Sequence, residues 1–496
     1  MTPAVNIDDL VTTIGLEIHV ELKTNTKMFC GCAVGFGGEP NTRVCPICLG
    51  HPGTLPVPNE RAIEFTTKIA MALGCDIAPR SIFHRKNYFY PDMPKNYQIS
   101  QYDVPIGSDG AVEIQVDGKI HRVGITRVHL EEDTGKSLHM GGKGRIHDAE
   151  YSLEDFNRAG TPLVEIVTEP DIPSAEVGRA FATELRSVLE FLGVSDVRME
   201  EGSMRVDANI SVAKATERGT KAEVKNMNSL RSVGRALAYE DERQRKAIIE
   251  GTGLEQSTRH WDEKAGVTKP LRTKEFAFDY RYFPEPDLVP IEPSVEWLRQ
   301  LGEEIPALPA ERRARLMTEF GLSEQDAAVL TSSAAIGNFF DAALAAAGKA
   351  TPKQIANWVA NDLVGTNAES NAESNAESGA GFGSNVAPAS LAALVDMVAG
   401  GELSKNQANT VLAEMVATGD LPKDIVARKG LKQVSDTDAI SAAVDEAVAA
   451  NPDVAERIRA GDDKPFGFMV GAVMKTMKGQ ANPAVVNEIL KKKLRD

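Results

Sequence analysis

The sequence has 496 residues, of which 42% are hydrophobic and 25% are charged. This composition is typical of a globular chain and excludes a fibrous protein. No apolar run approaches the roughly 20 residues of a transmembrane helix, which excludes a membrane-spanning protein. Acidic residues outnumber basic ones, 71 to 55, so an RNA partner would have to bind through a local basic patch or by shape rather than through the overall charge of -16.

The chain is too long for a single core, and its length suggests about three domains. At its start, Asp8 and Asp9 stand where a signal peptide would carry Lys or Arg. We therefore expect a cytoplasmic protein with no membrane partner.

Period-two alternation in the first part of the chain predicts half-buried strands. From Ile14 the apolar residues alternate with Glu17, His19 and Glu21, and from Met204 they alternate with Arg205, Asp207 and Asn209. Shorter runs at 163–168 and 222–226 carry Glu165, Glu223 and Lys225. Amphipathic helices at 175–191 and 230–249 interrupt these strands, so the pattern predicts an α+β domain with a largely antiparallel sheet.

Four of the five cysteines lie close together in the sequence, at Cys30, Cys32, Cys45 and Cys48. Two close pairs of thiolates suit tetrahedral zinc, and a full set of four protein ligands indicates a structural site. The alternative is four unrelated buried thiols. Cys75 lies alone in an apolar context and is expected in a core.

Carboxylates and an imidazole on predicted strand faces favour a magnesium site, because Mg²⁺ prefers oxygen ligands, water and substrate phosphates. The candidate groups are Glu17 with His19 and Glu21, the run Glu131, Glu132 and Asp133, and the pair Asp207 and Asn209. A solvated strand face is the alternative for the first group taken alone.

The segment from His84 to Tyr97 interleaves cations with aromatic residues, a pattern that can stack bases and hold phosphates. A packed surface loop is the alternative interpretation. Gly135-Lys136-Ser137 does not form a P-loop, since Leu130 occupies a position where the Walker pattern requires glycine.

Beyond the proline-rich stretch from Pro284 to Pro293 the pattern becomes helical, with helices predicted at 310–320, 323–330 and 352–363. A threefold Asn-Ala-Glu-Ser repeat at 367–378 predicts a disordered insertion within 367–384. The last segment, 435–496, is predicted to be a small helical module, and its end is rich in lysine.

Nine strings of residues along the chain are together similar to the B-subunit family of the aspartyl/glutamyl-tRNA amidotransferases. They are Ile14 to His19, Cys45 to Gly50, Lys86 to Ser100, His129 to Lys136, Asp155 to Pro162, Arg205 to Asn209, Lys225 to Ser229, Tyr280 to Asp287 and Lys478 to Pro483. The resemblance implies a cradle domain related in fold to glutamine synthetase over 1–293. A helical domain over 294–434 and a tail domain over 435–496 that contacts tRNA would follow it.

The resemblance also implies an activity. The chain would use ATP to phosphorylate the side-chain carboxylate of Glu-tRNA(Gln) or Asp-tRNA(Asn), which is then amidated with ammonia from a partner amidase, the A subunit. A small C subunit would complete the heterotrimer. Which misacylated tRNA serves as the substrate stays open.

Position by position, the family pattern places magnesium ligands at Glu17, His19 and the Glu131-Glu132 pair, and zinc at the four clustered cysteines. Arg205 and Lys225 are expected to hold the transferring phosphoryl group. Glu165, Asp207 and Asn209 are expected on the nucleotide side of the site.

Two competing hypotheses remain. A non-catalytic, zinc-stabilised RNA-binding scaffold would account for the cysteines and the basic tail but not for the carboxylates on strand faces. ATP consumption that depends on Glu-tRNA separates it from an enzyme. A free-standing amide ligase that uses dissolved ammonia is excluded if the reaction depends on glutamine in the presence of partner subunits.

Overall fold

The computed structural model of the chain describes residues 6–141, 149–272, 280–364, 385–431, 437–462, 464–477, 481 and 483–495. The chain divides into two compact units, Met1–Pro309 and Ala310–Asp496. Each unit has its own hydrophobic core.

The first unit contains the strands that alternation predicted from Ile14, at 163–168, from Met204 and at 222–226. Its described strands are β1 (Leu10–Glu21), β2 (Asp76–Ile77), β3 (His84–Asn87), β4 (Tyr97–Ser100), β5 (Gly107–Val116), β6 (Lys119–Glu132), β7 (Lys136–Met140), β8 (Tyr151–Asp155), β9 (Pro162–Thr168), β10 (Met204–Lys214), β11 (Ala222–Met227), β12 (Ser257–Asp262), β13 (Val267–Arg272) and β14 (Phe283–Pro284). Its α-helices are α1 (Glu60–Ala72), α2 (Ala175–Leu192), α3 (Leu230–Glu250) and α4 (Val295–Glu303).

Nine of these strands form one sheet in the order β13-β12-β11-β10-β1-β9-β6-β5-β2. Its neighbours pair antiparallel, with the exception of the parallel pair β11 and β12. A three-stranded sheet, β14-β3-β4, and a two-stranded sheet, β7-β8, accompany it. The prediction of an α+β fold with a largely antiparallel sheet is confirmed.

Helices α2 and α3 contribute to the core on the apolar side of the nine-stranded sheet. Ile14, Leu16 and Ile18 of β1 are buried in the same core as Phe181 of α2 and Leu237 of α3. Burying each such side chain stabilises the fold by about 1.5–3 kcal/mol. The alternation that buries these residues places the polar residues between them on the opposite side of β1.

Helix α4 also belongs to the first unit. It packs against α1, and Lys68 of α1 forms an ion pair with Glu304, which caps the end of α4. The domain boundaries at 293 and 434 stay predictions.

The second unit is helical, as predicted. Its α-helices are α5 (Pro309–Phe320), α6 (Glu324–Leu330), α7 (Ala334–Ala346), α8 (Pro352–Asn357), α9 (Pro388–Ala399), α10 (Lys405–Thr418), α11 (Pro422–Lys429), α12 (Thr437–Ala450), α13 (Pro452–Arg459), α14 (Phe466–Thr476) and α15 (Pro483–Arg495). A π-helical turn, Trp358–Leu363, continues α8. Helices α12 to α15 enclose a core of their own, separate from that of the preceding helices.

In the part of the chain that the structure describes, no single helix has both the length and the apolar character needed to cross a membrane. The bent pair α6 and α7, which meet at 106°, passes that test by length and composition only.

The Asn-Ala-Glu-Ser repeat lies outside the described residues. Because a polar repeat of this kind buries almost no apolar surface, we expect deletion of 367–378 to leave the midpoint of thermal unfolding and the catalytic rate essentially unchanged. Thermal unfolding and steady-state kinetics of the deletion variant test this. A large loss of either would reveal an ordered contact made by the repeat.

Candidate active site and cysteine cluster

A row of four polar residues crosses the nine-stranded sheet on its polar face. His19 of β1 lies directly opposite Glu165 of β9 on one side and Arg205 of β10 on the other. Glu165 in turn lies opposite His129 of β6. Directly opposite residues on antiparallel strands have Cβ atoms only about 4.5–5.5 Å apart, so the register alone brings these side chains together.

Glu165 is the centre of this row. Its Oε2 atom lies 3.5 Å from His19 Nε2 and 3.3 Å from His129 Nε2. Glu131, also on β6, has its Oε2 atom 3.7 Å from His129 Nε2 and accepts a hydrogen bond from Ser100 Oγ (3.0 Å). One potential metal-ligand atom from each of His19, Glu131 and Glu165 lies within 4.8 Å of the other two. We call these three residues the acid cluster.

The charges around the acid cluster favour ionised carboxylates. Burial opposes ionisation of Glu165, but the charges and hydrogen bonds of His129 and His19 hold its pKa well below the usual range. Burial likewise disfavours a charged His129, yet Glu165 and Glu131 raise its pKa to about 9. The carboxylates are therefore available as oxygen ligands for a divalent cation, which the family resemblance implies to be Mg²⁺.

A second group of charges lies next to the acid cluster. Glu17 of β1 faces Asp207 of β10 in the register, and Lys225 Nζ lies 2.5 Å from Asp207 Oδ2 and 3.4 Å from Glu223 Oε1. Burial, reinforced by the charge of Glu165, raises the pKa of Glu17. Asn209 lies two residues after Asp207 on β10, opposite Gly15 of β1 and Glu223 of β11.

The structure does not bring Glu132 to the acid cluster. Adjacent residues of a strand point to opposite faces, and Glu132 pairs instead with Lys95 and accepts a hydrogen bond from the Ile99 amide (2.9 Å). The role of Glu132 as a magnesium ligand stays a prediction, and its neighbour Glu131 is the residue that lies with His19.

Arg205 has one nitrogen available for a further partner. Its Nη2 atom donates to Asp133 Oδ2 (2.7 Å), which also lies 3.6 Å from Arg158 Nε. Its Nε atom is buried and has no hydrogen-bond partner among the described residues. A buried donor of this kind is costly unless a ligand satisfies it.

Sequence reasoning missed three residues of this site. His129, Arg127 and Lys86 all act on the acid cluster, and Arg127 Nη2 lies 3.5 Å from Glu165 Oε1. The signal for the first two was present, because Arg127, His129 and Glu131 alternate along β6 just as Glu17 and His19 do along β1. Lys86 belongs to the segment of cations and aromatic residues from His84 to Tyr97 described above, but nothing in that pattern indicated that it lies beside the acid cluster.

The four clustered cysteines come together near the start of the same unit. One sulfur from each of Cys30, Cys32, Cys45 and Cys48 lies within 4.8 Å of the other three. Zinc with Zn–S bonds of about 2.3 Å places tetrahedral sulfurs about 3.8 Å apart, so this arrangement fits zinc with little rearrangement.

Lys27 supports a negatively charged cluster at this place. Its side chain is fully buried, and its ammonium group lies 3.8 Å from Cys48 Sγ and 3.0 Å from the Phe156 carbonyl oxygen. Lysine is almost never fully buried unless it is paired. The hydrogen bond between Cys30 and Cys48, together with the Lys27 charge, lowers the pKa of Cys48 to about 4 and raises that of Cys30, so Cys48 is the one of this pair that carries the thiolate a metal requires.

Comparison with known proteins gives a consistent result over both units. Residues 12–299 match the family model described as the GatB/GatE catalytic domain, and residues 338–494 match the model described as the GatB domain. Two curated relatives are named as B subunits of aspartyl/glutamyl-tRNA(Asn/Gln) amidotransferase. The protein from Moorella thermoacetica is 51% identical over 97% of this chain and 99% of its own length. The protein from Salinispora arenicola is 52% identical over 97% of this chain and 96% of its own length. The chain therefore belongs to the B-subunit family of the aspartyl/glutamyl-tRNA(Asn/Gln) amidotransferases.

Proposed function

We propose that this chain is the component of a glutamine-dependent ligase that activates the side-chain carboxylate of Glu-tRNA(Gln), Asp-tRNA(Asn) or both with ATP. The observation that carries the proposal is the acid cluster, in which a histidine and two buried carboxylates converge on one sheet face with Lys86, Arg127 and Arg205 around them. A scaffold that only binds RNA has no use for buried carboxylates in a cluster.

The chemistry explains why ATP is needed. A carboxylate is a poor acyl donor, so the γ-phosphoryl group of ATP is transferred to a carboxylate oxygen and ADP leaves. Ammonia then attacks the acyl carbon, the C–O bond to phosphate breaks, and inorganic phosphate departs with the bonding electron pair while the nitrogen loses one proton to give the amide. Neither step requires a covalent nucleophile from the protein.

We assign His19, Glu131 and Glu165 as the residues that hold Mg²⁺, with Glu17 beside them. When bound, Mg²⁺ neutralises the charge on the phosphate oxygens during transfer. The chain's own cations act alongside it. The buried Nε of Arg205, which has no hydrogen-bond partner in the described part of the chain, is suited to an anionic oxygen of the transferring group. Lys225, held by Asp207 and Glu223, fixes a positive charge on the nucleotide side of the site.

We infer that the cysteine cluster holds one structural zinc ion. All four positions are filled by protein sulfurs, so no position is left for substrate.

Ammonia reaches this chemistry from a partner. We propose that the chain works in a heterotrimer with an amidase (the A subunit), which releases ammonia from glutamine, and with a small C subunit. The names of the relatives, which call them B subunits, support an assembly of several different chains. Amide formation assayed on both misacylated tRNAs, with and without ATP, glutamine and partner subunits, tests the whole proposal. Amide formation by the complete complex without ATP would contradict it.

The lysines of the tail module form the basis of a further prediction. Lys491 and Lys492 of α15 are exposed, whereas Lys493 is held within the module by Asp445 (2.6 Å) and the Ser441 carbonyl (3.2 Å). A basic helix end also suits the helix dipole, so charge alone does not establish contact with RNA. We propose, on the family resemblance, that this module contacts the tRNA.

Replacing Lys491 and Lys492 with Ala is expected to weaken tRNA binding and to flatten its dependence on salt. Each lost phosphate contact lowers the slope of log affinity against log salt by about 0.7–0.9. Removal of 435–496 should give a larger effect and raise the KM for Glu-tRNA without changing ATP binding. Lys493→Ala is the matched control for the double variant, and tRNA affinity across a salt series is the measurement. Superimposable slopes for all variants would mean that the tail does not touch tRNA.

A further inference from the structure

Six aromatic rings of the first unit form a group that we call the aromatic platform, in which contacts of Asn87 and Arg281 join the segments 87–102 and 280–282. Its members are Tyr88, Phe89, Tyr90, Tyr102, Tyr280 and Tyr282. The rings of Tyr102 and Tyr282 stack at 4.4 Å and 9°, and those of Tyr88 and Tyr90 stack at 5.7 Å and 25°. The Asn87 side-chain amide joins the two segments by donating to the carbonyl oxygens of residues 280 (3.1 Å) and 281 (2.7 Å).

The platform keeps much of its aromatic surface in solvent. Phe89 is 66% exposed, Tyr102 is 49% exposed and Tyr90 is 40% exposed. Clustered exposed apolar surface is a mark of a binding site, whereas rings that serve only a core are covered. Arg281 lies over the Phe89 ring at 5.5 Å and has a φ of 45°, a conformation that is uncommon for residues other than glycine.

One end of the platform borders the acid cluster. Ser100, two residues before Tyr102, donates a hydrogen bond to Glu131 Oε2 (3.0 Å), and the side chain of Gln101 accepts one from the Leu130 amide of β6 (3.1 Å). On the other segment, the Lys86 ammonium lies 5.0 Å from the centre of the Tyr280 ring. Tyr102 and its stacking partner Tyr282 therefore lie at the end of the platform that borders the acid cluster.

We propose that the aromatic platform stacks the unpaired nucleotides at the 3′ end of the aminoacyl-tRNA, with the terminal base on Tyr102. This inference rests on the proposed function, because the amino acid is esterified to the terminal ribose. When its side-chain carboxylate is at the acid cluster, the terminal base must lie beside that cluster. Single-stranded nucleotides are recognised by stacking on aromatic rings.

Stacking also suits the charge of this protein. The chain carries a net charge of -16, so it gains little from general attraction to phosphates. Contact between a ring and a base does not depend on that attraction, and it tolerates any base, which fits a single-stranded end that is shared by different tRNAs.

The test uses the assembled complex and a tRNA whose terminal adenine is replaced by 2-aminopurine, a base whose fluorescence is quenched on stacking. We expect the wild type and Tyr102→Phe to quench it and Tyr102→Ala to leave it bright. Tyr102→Ala and Phe89→Ala should each raise the KM for aminoacyl-tRNA roughly 5- to 100-fold, with a smaller change in kcat. Tyr151→Ala, at a tyrosine of β8 that is 56% exposed, is the matched control.

Three results have separate meanings. Quenching and KM in Tyr102→Ala equal to those of the wild type would overturn the inference. Failure of the platform variants to assemble with their partners, seen by size-exclusion chromatography, would also overturn it by making this a protein-docking surface. If the wild-type complex forms no amide, the proposed function fails, while the quenching experiment still decides whether the terminal base stacks here.

Discussion

Glu165→Gln in the assembled complex is expected to reduce ATP-dependent amide formation by at least about 100-fold while glutamine hydrolysis by the partner amidase persists. The substitution keeps the shape of the side chain but removes the negative charge of Glu165. The Oε2 atom of that carboxylate lies 3.5 Å from His19 Nε2 and 3.3 Å from His129 Nε2. The substitution also replaces one of the three potential metal ligands of the acid cluster, an anionic carboxylate, by a neutral amide oxygen that binds Mg²⁺ more weakly. His19→Ala should give the same separation of the two activities.

A matched control is available in the same sheet. Glu113 of β5 is exposed, and Glu113→Gln should leave both activities unchanged. The measurements are amide formation, tRNA-dependent ATP cleavage and glutaminase rate, each across a magnesium titration. Equal loss of amidation and glutaminase activity in a well-folded, fully assembled Glu165→Gln complex would contradict the assignment of Glu165 to phosphoryl transfer.

Glu132→Gln tests the prediction that Glu132, next to Glu131 in the sequence, is a magnesium ligand. If Glu132 binds magnesium, this variant should shift the magnesium dependence as Glu165→Gln does. If its partners are only Lys95 and the Ile99 amide, the magnesium dependence should stay unchanged.

Cys48→Ala is expected to remove zinc from the protein and to destabilise the first unit by several kcal/mol. Binding of a structural zinc ion supplies folding free energy directly, about 10–16 kcal/mol in small zinc domains, and a larger unit with its own core loses only part of that. The variant also leaves the buried ammonium of Lys27 without its sulfur neighbour at 3.8 Å. Metal analysis should give one zinc ion per wild-type chain and almost none in the variant, together with a lower midpoint of thermal unfolding.

Cys75→Ala provides the control for this experiment, because Cys75 lies outside the cluster of four sulfurs. It should keep one zinc ion and nearly the wild-type midpoint. A wild-type protein with no zinc and four freely titratable thiols would rule out the metal site altogether.

The sequence predicted the strands of the site better than the arrangement of the site. Alternation placed Glu17 and His19 on one face of β1 and Arg205 and Asp207 on one face of β10, and the register confirms both strands. It could not reveal that β9 lies between β1 and β6, since strand order depends on contacts between segments far apart in the chain. The central position of Glu165 follows from that order, so its partners were not predictable from the sequence.

The run Glu131 and Glu132 illustrates a second limit. Two adjacent carboxylates on a strand point to opposite faces, and the choice of face depends on where the strand's regular pleat begins. The family resemblance covers both residues, so it indicates magnesium ligands at this pair without showing which of the two carboxylates binds the ion. Their different partners in the structure separate the two, since Glu131 accepts a hydrogen bond from Ser100 and Glu132 forms an ion pair with Lys95.

The row across the sheet has a consequence for how the chain acquires its activity. Its members, at positions 19, 129, 165 and 205, come from four strands whose pairing brings together residues up to 186 positions apart. Such long-range pairing is slow to form, because the entropy of loop closure is lost before the contacts that compensate for it are made. During synthesis His19 leaves the ribosome long before Arg205. A growing chain that ends before β10 therefore cannot contain the complete row. Catalytic competence therefore arrives late in folding, when the central strands have joined.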